Sequence, residues 1–151
     1  MKDFPATMIR LSGERKFQLD QIAQLTGASS MSAAIGELMK LARAQGLVAH
    51  TIPGVTINSF GDGLAIAFDD AAPTGFSHEG VASLAATIRN TVNDSSGVFG
   101  DADHDYFVSR RGTSFKVSIP SNCGTPKTWA ADVALDFADL IEAESAKARA
   151  A

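Results

Sequence analysis

Hydrophobic and polar residues alternate in three stretches of this chain and follow helical spacing in four others. The first alternation covers residues 7–12. Ile9 and Leu11 point one way, and Met8, Arg10 and Ser12 the other, which predicts a short strand. Ser12 then stands where an N-cap belongs, with Glu14 in the first turn, where the helix dipole favours an anion. Leu19, Ile22, Ala23 and Thr26 follow at helical spacing, and Gly27 suits the left-handed residue that ends a helix. Residues 28–32 form a serine-rich turn in which Ser30 or Ser32 can cap a second helix. Ile35, Leu38, Met39 and Ala42 stripe that helix, and Gly46 closes it.

Residues 48–54 read as a linker punctuated by Pro53 and Gly54. A hairpin follows: Val55, Ile57 and Ser59 lead to a turn at Gly61, Asp62 and Gly63, and Leu64, Ile66 and Phe68 return. Residues 69–75 are expected to be loop. Ser77 caps a helix striped by Val81, Leu84, Ala85, Ile88 and Val92, and residues 93–105 are again expected to be loop. The second hairpin runs from Tyr106 through Arg111, Gly112 and Thr113 to Phe115, Val117 and Ile119. A last helix, opened by Thr125 or Thr128, carries Trp129, Val133, Phe137, Leu140 and Ile141. The pattern recurs: Leu64, Ile66 and Phe68 return 51 positions on as Phe115, Val117 and Ile119. Val81, Ala85 and Ile88 return 52 positions on as Val133, Phe137 and Leu140. The expected fold is α+β. A strand-helix-helix start over residues 1–49 precedes a ββαββα module over residues 50–151, with a four-stranded antiparallel sheet bearing both helices on one face.

Composition narrows the class. With 45% hydrophobic and 20% charged residues, the chain can bury a core and is not expected to be disordered. No apolar run reaches the ~20 residues that cross a bilayer, and residues 1–13 lack the apolar segment of a secretory signal. A lone cysteine, Cys123, excludes an internal disulfide framework and a four-cysteine zinc site. A cytoplasmic protein with no membrane partner is expected. The net charge of −4 is unevenly shared: residues 1–50 carry +2 and the remainder −6. Any nucleic-acid contact is therefore confined to the N-terminal region, with an acidic body behind it.

Ile9-Arg10-Leu11-Ser12, then Leu19, Ile22-Ala23 and Gly27, then Ser30-Met31-Ser32-Ala33-Ala34-Ile35 and Leu38 together resemble the ribbon-helix-helix family of dimeric DNA-binding repressors, with one extra residue in the turn between the helices. The resemblance covers about a third of the chain. It implies that two chains pair residues 7–12 into an antiparallel ribbon that enters the major groove. Met8, Arg10 and Ser12 would face the bases, with Arg10 on guanine O6 and N7. Ser30 and Ser32, at the start of the second helix, and Lys2 would contact phosphates. The implied partners are double-stranded DNA and a second copy of the chain, and no cofactor or metal is implied. Residues 22–29 with Gly46, Leu47 and Val48 also resemble a winged helix-turn-helix, and a plain helical hairpin remains a third reading.

Other candidate chemistry is sparse. Asp101, Asp103 and Asp105 have the alternate spacing of calcium loops, but Tyr106 and Gly112 stand where an EF-hand needs glycine and glutamate. His50, His78 and His104 lack ligand spacing, no base is placed for Cys123, and Arg110 with Arg111 marks a hairpin tip. No paired carboxylates or triad can be placed, so an enzyme is not expected. The functional expectation is a dimeric DNA-binding transcriptional regulator. The alternative is an acidic protein-interaction module without DNA binding. Its order of helices and hairpins loosely resembles the dimeric class I chaperones of type III secretion.

Overall fold

Ser12 and Ser30 both act as the caps their positions suggest. In the computed structural model, which describes residue 5 and residues 7–94, 98–101, 103–122 and 125–151, Ser12 Oγ accepts from Arg15 N and opens α1 (Gly13–Thr26). Ser30 Oγ accepts from Ala33 N at 3.1 Å and opens α2 (Met31–Ala44). Gly27, at φ +70°, turns the chain out of α1, and its N–H bonds Ala23 O. These helices belong to the first of two compact units, Lys2–His50; the second is Thr51–Ala151.

The expected opening strand is not there. Residues 7–12 have no regular secondary structure, so the described chain begins helix-first and not as strand-helix-helix. The reason is physical. A strand needs a neighbour to take its backbone hydrogen bonds, and neither sheet of the chain includes this segment. Its pattern also lacks a driving force, because Ile9 is 72% and Leu11 46% exposed.

The second unit departs from the expected ββαββα order as well. It runs β1 (Val55–Phe60), β2 (Gly63–Phe68), β3 (Thr74–Ser77), α3 (His78–Asn93), β4 (Val98–Asp101), β5 (Tyr106–Arg111), β6 (Ser114–Ser118), β7 (Lys127–Ala130) and α4 (Ala131–Ala150). There are two antiparallel sheets in place of one, ordered β1-β2-β3 and β4-β5-β6-β7. β3 and β7 are four-residue strands that end on the helix N-caps, too short for alternation to reveal them. Trp129, expected on the last helix, is a strand residue.

α3 packs on β2, β3, β4 and β5, while α4 packs on β1, β2, β6 and β7. His78 at the start of α3 meets Ser145 near the end of α4, and Arg89 meets Asp139 and Glu142, so the two helices run antiparallel. Between helices and sheets lie Leu64, Ile66 and Phe68, Val81, Leu84 and Ile88, Val108 and Val117, and Phe137 and Ile141, all buried. Phe68 meets Trp129 and Phe137 edge-on at 5.5 and 5.7 Å between ring centroids, joining the first sheet to β7 and α4.

The two halves repeat in space. The Thr56↔Ala67 pairing in the first hairpin is matched by Phe107↔Ser118 in the second, so β1 and β2 correspond in register to β5 and β6 at a shift of 51 residues. The pairings Gly63↔Ser77 and Ser114↔Ala130 set β3 and β7, and the helices that follow them, at a shift of 53. Ser77 and Ala130, the residues before the two helices, have nearly the same backbone: φ −64°, ψ 163° and φ −65°, ψ 162°. At this shift the buried residues match: Val81 with Ala134, Leu84 with Phe137, Ala85 with Ala138, Ile88 with Ile141. The helix shift read from sequence, 52, is thus one residue short. Two adjacent apolar stripes overlap along a helix, and half-buried Val133 was aligned where buried Ala134 belongs.

A buried ion pair ties the halves. Lys127 Nζ on β7 lies 2.8 Å from Asp69 Oδ1, just after β2, with side chains 8% and 13% exposed. Asp69 has φ 52°, its N–H bonds Gly54 O, and its Oδ2 is buried without a hydrogen-bond partner among the described residues. Gly54, itself at φ +75°, leaves the room: a Cβ there would lie 2.5 Å from Asp69 Oδ1 and 2.6 Å from Lys127 Nζ.

Candidate nucleic-acid interface

The segment before α1 and the first turn of α2 carry the residues expected to meet DNA. Met8 is 90% exposed, and Arg10, Ser12, Ser30 and Ser32 are exposed as well. No described side chain pairs with Arg10. By contrast, Lys16 and Lys40 are engaged by Asp20 and Glu37 along their own helices, at 2.8 and 3.1 Å. Ser12 and Ser30 use a hydroxyl lone pair to cap their helices, which leaves each O–H free to donate outward. Lys2 lies outside the described residues.

These residues form two clusters and not one. Met8, Arg10 and Ser12 precede α1, whereas Ser30 and Ser32 follow it. The 14 residues of α1 separate the two helix starts by about 20 Å at the usual rise.

The first unit leaves many apolar side chains exposed. α1 buries none of its residues and α2 buries Ala34 alone. Among the described residues, every exposed large hydrophobic side chain except Phe60 lies between Met8 and Val48, including Phe17, Leu25, Ile35, Met39, Leu41 and Leu47. A helical pair of this length without a core does not hold its shape by its own burial, and oligomerisation is a usual remedy. Among the described residues no helix precedes α1, which contains the first motif helix of the winged reading.

Elsewhere the polar groups are mostly held by one another. The side chain of Asp105, at φ 54°, accepts from Ser121 N at 3.0 Å and Ser121 Oγ at 2.7 Å, and these bonds lower its pKa below the ordinary 3.8. Among the described residues no group of three or more His, Cys, Asp or Glu side chains could hold a metal ion. Cys123 is outside the described residues. Arg110 lies over the Phe115 ring, 5.6 Å from its centroid. Arg89 forks onto both oxygens of Glu142 and onto Asp139, each at 2.8 Å, and the Glu142 and Asp139 bonds raise its pKa.

His78, Glu142, Ser145 and Arg149 line an open cleft of about 360 Å³ between α3 and α4, floored by Val81, Ala82 and Ala146. His78 Nδ1 lies 2.6 Å from Ser145 Oγ there. Sequence reading missed this grouping, because 67 residues separate the two and no motif spacing joins them. Ser145 is 6% exposed on α4, and its contact with His78 fastens the two helix ends.

No described helix is long and apolar enough to cross a membrane. Comparison with protein-family models, curated proteins and solved structures finds no match to the chain.

Proposed function

We propose that the chain is a dimeric DNA-binding transcriptional regulator whose first unit makes the nucleic-acid contact and whose second unit is acidic. The observation that carries this reading is the character of that first unit. It is a capped helical pair with almost no core of its own, bearing an exposed arm with Met8, Arg10 and Ser12. The apolar side chains give two copies a reason to associate, and the cations of residues 1–50 outnumber the anions. Arg10 supplies the fork that suits guanine, and Ser30 and Ser32 the donors that suit phosphate.

The test is selection of binding sites from random duplex DNA, followed by titration at two salt concentrations. Affinity for the selected site should fall as salt rises. Arg10→Ala should weaken it by about 1–3 kcal/mol and relax preference at one base pair. Absence of salt-sensitive binding, or indifference to Arg10→Ala, overturns the reading.

The same exposed hydrophobic side chains favour a second reading, a dimeric protein-interaction module of secretion-chaperone type with no DNA role. Saturable binding of a permanently unfolded polypeptide, lost on Ile35→Asp and Met39→Asp, in a protein that selects no DNA, would establish it in place of the first.

A further inference from the structure

The internal repeat reveals a position that one half fills and the other leaves open. In the second sheet, β5 is flanked by β6 on one side and by β4 on the other. Its counterpart in the first sheet, β1, has β2 on one side and, among the described residues, no strand on the other. Alternate N–H and C=O groups along β1 therefore face outward. Edge strands are commonly guarded by charge, proline or short length. The sequence of β1, Val-Thr-Ile-Asn-Ser-Phe, has neither charge nor proline, and it is six residues long. The opposite edge of the same sheet, β3, has only four. Thr56, Asn58, Ser59 and Phe60 are exposed, and among the described residues Phe60, at 49%, is the one large hydrophobic side chain outside the first unit that is.

We propose that the open edge of β1 pairs antiparallel with β1 of a second copy, giving a continuous six-stranded sheet across a two-fold axis. Two observations and the closure of a two-fold contact select this occupant. The equivalent edge is closed by an antiparallel strand, β4, so the position is strand-shaped. β1 is uncharged, so setting it against itself brings no like charges together. An isologous contact closes after two copies and does not propagate into a fibre. The contact lies wholly within the second unit and does not depend on where DNA binds.

Hydrogen–deuterium exchange on the full chain tests this across a hundredfold range of protein concentration. Amides of residues 55–60 should exchange ~10-fold more slowly in the concentrated sample. Asn58→Lys should abolish that difference while leaving the circular dichroism unchanged. An equimolar mixture of the Asn58→Lys and Asn58→Glu proteins should restore it, because opposite charges then meet across the axis. Exchange that is independent of concentration and of Asn58→Lys overturns the proposal. So does concentration-independent protection lost on deleting residues 1–12, which would mean that the chain's own arm covers the edge. DNA binding reports separately: Asn58→Lys should leave the salt-sensitive affinity of Arg10-dependent binding in place, and Arg10→Ala should leave the exchange pattern in place.

Discussion

Lys127 and Asp69 show how much can depend on two side chains. Each is largely removed from water, and each neutralises the other. Lys127→Met removes one charge and leaves the other buried beside an already unpaired Oδ2. It should cost about 3–5 kcal/mol in urea denaturation. The double variant Lys127→Met with Asp69→Asn should recover most of that loss, since asparagine tolerates the positive φ and carries no charge. Asp105 makes the contrasting case at the surface. Its folded pKa lies below its unfolded value of 3.8, so its bonds to Ser121 stabilise the fold above that pH. The contribution is lost as the pH falls through the lowered folded pKa. Ser121→Ala should flatten the acid limb of a plot of Tm against pH below about 4 and leave the limb above pH 6 unchanged.

Among the elements, the two matched helices offer an internal control. Ser77 Oγ accepts from Gly80 N at 3.1 Å and caps α3, whereas Ala130, with the same backbone angles, gives α4 no side-chain cap. Ser77→Ala should therefore destabilise the protein by about 1 kcal/mol, and Ala130→Ser should stabilise it by a similar amount, both measured by chemical denaturation. Sequence alone revealed α1, α2 and α3, because Ser12, Ser30 and Ser77 mark their starts and the apolar stripes follow. It revealed the two long hairpins because Leu64, Ile66 and Phe68, and Phe115, Val117 and Ile119, alternate with smaller or polar residues. It did not reveal β3 or β7, where Phe76 is the one buried residue of four and the buried residue of β7, Lys127, is charged. It also placed a strand at residues 7–12, where the alternation was present but nothing lay alongside to accept the hydrogen bonds. Arg10, Ser12, Ser30 and Ser32 were recognisable as exposed polar residues. That α1 would set them about 20 Å apart follows from helix geometry alone, and the cleft at His78 and Ser145 appears only once the chain has folded.

Taken whole, the chain joins a unit with a full core to one with almost none. Residues 51–151 expressed alone should unfold cooperatively, with a urea midpoint independent of protein concentration up to the range where β1 edges associate. In the full chain, the helical signal of α1 and α2 should melt at a temperature that rises with protein concentration, as expected when folding requires a second copy. The repeat within the second unit carries one more consequence. Arg89 and Glu142 occupy equivalent places on α3 and α4, 53 residues apart, and they bind each other. Two separate, identical chains arranged in this way would bring that position against itself, arginine against arginine or glutamate against glutamate. Joining both halves in one polypeptide lets the sequence differ on either side of the axis, so what would be a repulsion in a symmetric pair becomes an attraction.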